Sequence, residues 1–140
     1  GVGGVCELDV GGKSSPLQGE PCSMRAEVVA LSDGAFNYDG PMYAGLTGKM
    51  GPSAHIVQEG IHVLLVTERE QPFDTAFART LDLDPKAMRY IGVKSAAHFR
   101  AGFAEWAGAI YVVGEPGLHD ITTAGLTFSH LGRNVYPLSD

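Results

Sequence analysis

Cysteine is scarce in this sequence: two residues, Cys6 and Cys22, in a chain of 140. A disulfide-held secreted scaffold of this size would carry more. Both lie in strand-like stretches, so they are expected to be small core residues rather than a bridge or a ligand pair. No apolar run approaches the ~20 residues that a membrane-spanning helix needs. No signal peptide opens the chain. The expectation is therefore no membrane partner and a cytoplasmic location. Basic residues are also few, 10 Lys and Arg against 16 Asp and Glu for a net charge of -6. That balance argues against a nucleic-acid backbone as partner. Charged residues of both signs together make up 19%, against a usual ~25%. So thin a charge implies a surface that something covers, either a second domain or a symmetry mate in a homodimer. An initiator Met is missing as well, since the chain opens Gly1-Val2-Gly3-Gly4. The expectation is a piece of a longer chain, or a start that has been lost.

Several catalytic signatures are also absent. The five histidines, at positions 55, 62, 98, 119 and 130, form no His-x-x-x-His pair, and no Cys-x-x-Cys occurs. A self-contained metal site is not expected, so no cofactor is assigned to this chain. His55 and His62 read as satisfied core or face histidines. Gly12-Lys13-Ser14 invites a phosphate-loop reading. That motif needs a glycine where Glu7 stands and a helix where Ser15-Pro16 follows, so a hairpin loop is the better reading. Ser95 and His98 have no third orienting group and no nucleophile-elbow pattern around them.

Glycine is plentiful, 19 of 140, or roughly double the ~7% norm, which points to turns and strands. Val5–Val10 alternates apolar and polar residues, as a half-buried strand does. Met24–Leu31 reads as a second strand and Phe36–Tyr38 as a short third, with Asp33-Gly34 between them as a hairpin signal. A long irregular loop follows, punctuated from Gly40-Pro41 to Gly51-Pro52. Ala54–Gln58 and Ile61–Thr67 read as two further strands joined by Glu59-Gly60. Gln71-Pro72-Phe73-Asp74 then opens a predicted helix with Phe73, Phe77 and Leu81 at i, i+4, i+8. Asp84-Pro85 signals a short helical turn with Asp as cap.

Tyr90–Val113 reads as strand, helix, strand. Tyr90–Val93 is β-branched and aromatic, and Ser95 stands at an N-cap position. Phe99, Phe103 and Trp106 fall on one helix face, and Ala109–Val113 is a continuous apolar run. The predicted fold is therefore α+β grading into α/β. An antiparallel β meander leads into a β-α-β-α-β unit whose sheet is mainly parallel.

In such a sheet, ligands gather beyond the carboxyl ends of the strands. Those ends would carry Gln71; Lys94, Ser95, His98 and Arg100; and His119 with Asp120. Lys94 and the first turn of the following helix suit an anion, with His98 over the same turn. The plain alternative keeps Ser95 as a cap only, with Lys94 and His98 solvated.

Several stretches carry a family resemblance. They are Leu8-Asp9-Val10-Gly11-Gly12-Lys13, Ala30-Leu31-Ser32-Asp33-Gly34, Gly40-Pro41-Met42, Gln71-Pro72-Phe73-Asp74, Val93-Lys94-Ser95 with His98-Phe99-Arg100, Pro116-Gly117 and Tyr136-Pro137-Leu138. Spread in order over nearly the whole chain, they resemble the C-terminal domain of the MlrC (microcystinase C) family of metallopeptidases. The resemblance implies a bacterial, metal-dependent hydrolase acting on amide bonds of small linear peptides. It places the metal ligands, and a zinc ion, in an N-terminal domain outside this sequence, which becomes the expected partner. It also favours Lys94, Ser95 and His98 facing a functional cleft, while the strand-end reading makes His98 the candidate catalytic residue. Lys94, Ser95, Arg100, Gln71 and His119 would then contact a small peptide or anionic ligand. The alternative is a free-standing domain of the same fold that binds a small ligand or a partner without catalysis.

Overall fold

The computed structural model describes residues 1–13, 19–113 and 129–130. The chain divides into two compact units, Gly1–Asp9 with Ser23–Tyr111, and Val10–Cys22 with Val112–Asp140. In the smaller unit, Gly12 adopts a positive φ, with its Cα against the Gly19–Pro21 backbone. The candidate residue His119 lies outside the described residues, as do Pro116-Gly117 and Tyr136-Pro137-Leu138.

The strands are β1 (Val5–Val10), β2 (Cys22–Ser32), β3 (Ala35–Asn37), β4 (Thr47–Lys49), β5 (Ser53–Gln58) and β6 (Ile61–Val66). They form one four-stranded sheet in the order β1-β2-β5-β6 and a two-stranded ribbon of β3 and β4. The β2–β5, β5–β6 and β3–β4 pairs are all antiparallel. β1 and β2 follow the alternation of their sequences, with every second residue turned out to solvent. The β5–β6 hairpin turns on Glu59 at φ 50 and Gly60 at φ 80. Two consecutive positive φ values give the twist that a two-residue hairpin needs.

The α/β expectation is overturned. No parallel strand pair forms among the described residues, and Tyr90–Val93 and Ala109–Val113 are not strands. The helices are short. α1 is Ala76–Arg79, α2 is Arg100–Phe103, and a 3-10 turn covers Pro85–Ala87. The periodic apolar positions were real, but a helix face needs only contact periodicity, and successive turns supply it too. Leu81 is fully buried although α1 has ended, because its N–H continues the spiral to the Ala78 carbonyl at 3.0 Å. Asp82, at φ 55, then reverses the chain. Asp84 caps the 3-10 turn as expected, its Oδ1 accepting from Lys86 N at 3.0 Å.

Asp33-Gly34 is a turn, yet it does not join a hairpin. Asp33 Oδ1 accepts from Ala35 N, and β2 and β3 lie in different sheets. Gly34 sits directly on the Gly51 backbone, with Met50 N bonded to its carbonyl at 2.9 Å. That close approach diverts the chain from the first sheet to the second. One core cluster forms beside the ribbon from Phe36, Tyr38, Met50 and Ala76, with Phe73 and Phe77 packed on it. Within the large sheet His55 is buried, its Nδ1 at 2.9 Å from the Leu81 carbonyl. A carbonyl only accepts, so Nδ1 carries the proton. The bare Nε2 then accepts from His62 Nδ1 at 2.9 Å, and both histidines are satisfied.

Cys6 is half-buried and Cys22 exposed. The core reading therefore fails for Cys22.

Candidate functional site

Asp74 is the junction of three distant stretches. It is 3% exposed, and its carboxylate accepts three backbone N–H groups. Oδ2 takes Asp39 N at 3.1 Å and Gly40 N at 2.8 Å, and Oδ1 takes Ala76 N at 2.7 Å. A short acidic side chain two residues ahead of a turn is well placed to hold that turn's free N–H. The same carboxylate also captures the start of the Asp39–Leu46 loop. Two glycines make the approach possible. A Cβ on Gly40 would lie 2.5 Å from Asp74 Cβ, and one on Gly102 would lie 2.5 Å from Asp74 Cα. Arg79 closes the arrangement, bonding Thr75 Oγ1 at 2.6 Å and pairing with Asp39.

An aromatic cluster is built on this junction. Phe73 packs on Tyr43 at 4.7 Å and on Tyr38 at 5.9 Å between ring centroids. The His98 imidazole meets the Phe73 ring edge-on at 5.7 Å. His98 is exposed, and so is Tyr43. Tyr38 is buried, and its hydroxyl meets no well-formed hydrogen-bonding partner among the described residues. Burial first, then the Glu70 carboxylate beside it and Asp74, push its phenol well above the ordinary range. Glu70 approaches that hydroxyl without meeting good hydrogen-bond geometry.

The other candidate residues are placed as follows. Lys94 is exposed. Ser95 is half-buried, its N–H donating to the Val93 carbonyl at 3.0 Å and its Oγ enclosed without a partner among the described residues. Ser95 is not a helix cap. α2 starts at Arg100, and its N-cap is Phe99, with no side-chain cap bond. The expectation of a helix beginning near Ala96, with Lys94, Ser95 and His98 around its first turn, is thereby corrected. Arg100 is exposed with its guanidinium 5.4 Å from the Phe99 ring centroid. Gln71 is exposed and its N–H donates to Glu70 Oε1 at 3.1 Å.

Of the candidates, His98 is the one that ring contacts tie to the Asp74 junction. Asp74, Tyr43 and Tyr38 are not among the candidate residues read from the sequence. The Gln71-Pro72-Phe73-Asp74 and Gly40-Pro41-Met42 stretches signalled that the segments mattered, but not that they touch. Among the described residues, no group of three or more His, Cys, Asp or Glu side chains could hold a metal ion. No donor set among the described residues fits a zinc ion, and the resemblance places that ion's ligands in another domain.

The model of a family described as MlrC C-terminus matches residues 1–130. The chain belongs to the MlrC C-terminus family. Microcystinase C from Sphingomonas sp is 26% identical over 116 residues, which is 81% of this chain and 22% of that protein. The crystal structure of a candidate metallopeptidase from Mesorhizobium sp. BNC1 superposes with a TM-score of 0.82 at 24% identity. It covers 100% of this chain, which spans 28% of that one. At that identity the likeness concerns the fold, so the mainly antiparallel architecture is shared. This MlrC C-terminal chain thus spans a minor share of the relatives it matches. Among its described residues no helix is long and apolar enough to cross a membrane.

Proposed function

We propose that this chain is the C-terminal domain of an MlrC-like amide hydrolase, contributing substrate-cleft and interdomain contacts while another part of the polypeptide holds the metal. The observation that carries this reading is the packing of three family-resembling stretches on one another. Gly40-Pro41-Met42, Gln71-Pro72-Phe73-Asp74 and His98-Phe99-Arg100 meet around the Asp74 carboxylate and the Phe73 ring. They leave the His98 imidazole and Tyr43 open to solvent. The buried Asp74 carboxylate accepts three backbone N–H bonds and so serves as a structural anchor. His98 is a titratable group left exposed on the cluster, and an imidazole there can donate to, or take a proton from, a peptide amide. Lys94 and Arg100 supply cations for a substrate carboxylate, Arg100 with the forked geometry that suits it. Gln71 and Ser95 supply neutral hydrogen-bonding groups, and His119 completes the assigned set.

The test uses the longer polypeptide that carries this chain, with a linear peptide as substrate. His98→Ala should lower kcat/KM by about 100-fold, the scale of a lost acid–base group, with the melting temperature unchanged. Activity retained per folded molecule would remove His98 from the site. Production of the 140-residue chain as a polypeptide of its own, binding small anions without hydrolysis, would favour the free-standing ligand-binding reading instead.

A further inference from the structure

Two segments of the larger unit combine the composition of strands with the exposure of loops. Tyr90-Ile91-Gly92-Val93 and Ala109-Ile110-Tyr111 are rich in β-branched and aromatic residues, yet neither joins a sheet among the described residues. Tyr90 is 81% exposed and Tyr111 85%. Ile91 is exposed as well, and so are Val112 and Val113, the residues of the smaller unit that follow Tyr111 in sequence. Apart from the Ser95 N–H bonded to the Val93 carbonyl, no backbone hydrogen bond among the described residues involves either segment. Exposed peptide groups are satisfied by water, but runs of large apolar side chains left open mark a surface that binds something. The occupant is indicated by length. This chain spans 22% of Microcystinase C and 28% of the Mesorhizobium chain, so most of each relative lies outside the matched region and is available to cover it.

We propose that Tyr90–Val93 and Ala109–Tyr111 are contact segments for the remainder of an MlrC-type polypeptide. That partner would bury the rings of Tyr90 and Tyr111 and the Ile91 side chain, and would pair its own main-chain groups with the free peptide groups of both segments. Neither segment carries a charge, so the matching surface is apolar. Arg89, stacked on Tyr90 at 5.4 Å, flanks the first segment and fits a carboxylate at the rim of that surface. The inference rests on the reading of this chain as one domain of a longer hydrolase.

Hydrogen exchange of the 140-residue chain and of the longer polypeptide tests it. The amides of residues 91–93 and 110–111 should exchange at least about tenfold more slowly in the longer polypeptide. Tyr90→Asp with Tyr111→Asp should abolish that protection, while the melting temperature of the 140-residue chain stays unchanged, since both rings are exposed there. Equal exchange in the two proteins, or protection that survives the double substitution, overturns the proposal. Protection that appears in the 140-residue chain as its concentration rises would make a second copy the occupant, and recovery of that chain from cells as a complete polypeptide would remove the partner. Either result also overturns it. None of these measurements reads turnover, so failure of the His98 assignment and failure of this contact surface are told apart.

Discussion

At the scale of single residues, Asp74 carries the most structure. Its carboxylate bonds Asp39 N, Gly40 N and Ala76 N, and its removal leaves three N–H donors without their acceptor. Asp74→Ala is expected to cost ~2–4 kcal/mol, measured by denaturant unfolding, and a loss below ~1 kcal/mol would show that water or another carbonyl replaces it. Tyr38 makes a prediction about alkali. Burial, reinforced by Glu70 and Asp74, raises its pKa in the folded chain. The unfolded chain gives up the phenol proton near the ordinary value of about 10, and the folded chain does not. Below that pH the two states bind the same proton and the contribution to stability is fully present. As pH rises above it the unfolded state is favoured, and stability falls. Tyr38→Phe should flatten this alkaline decline in melting temperature, and an unchanged decline would assign it to other groups. Neither role was legible in the sequence, because Asp39 and Gly40, which Asp74 holds, and Glu70 and Asp74, which act on Tyr38, stand more than thirty residues away along the chain.

At the scale of elements, the short helices depend on tertiary contacts. α2 is a single turn, far below the ~12–15 residues that make an isolated helix stable. Phe103 is buried and packs on Trp106 at 5.5 Å and on Phe99 at 6.5 Å, so the expected apolar face is present. It rests against the Phe73–Asp74 segment through Gly102 rather than against a parallel sheet. Phe103→Ala should cost ~3–4 kcal/mol, and a loss below ~1 kcal/mol in denaturant melts would mean that this contact does not hold the element. The β5–β6 hairpin is the opposite case, an element whose local sequence is enough to specify it. Glu59 adopts a positive φ, a conformation that asparagine takes more readily. Glu59→Asn should therefore add about 0.5–1 kcal/mol to stability, and a loss would show that the Glu59 side chain does something else.

For the whole molecule, low charge and exposed apolar residues belong together. Val5, Leu31, Ile61, Tyr90 and Tyr111 are each more than half exposed, more open apolar surface than a lone soluble domain usually keeps. The 140-residue chain should bind an apolar dye or self-associate, and a strictly monomeric, dye-silent chain at high concentration would contradict this. After dialysis it should retain no stoichiometric zinc, since no ligand cluster exists among its described residues. Stoichiometric metal would place a site in the remaining residues.

What the sequence determined by itself was local: the alternation that makes β1 and β2 strands, the Glu59-Gly60 turn, the Asp84-Pro85 cap, and the order of family-resembling stretches that identified the MlrC C-terminus family. Each rests on neighbouring residues, whose backbone preferences and side-chain periodicity act within a few positions. The tertiary structure alone decided which strands pair, and it split β2 from β3 at the Gly34–Gly51 contact. It also brought Gly40, Asp74, His98 and Gly102 together. Tyr90–Val93 and Ala109–Val113 show why local preference was not enough. Their residues favour strands, but a strand exists only when another strand supplies its hydrogen bonds, and no strand among the described residues does so.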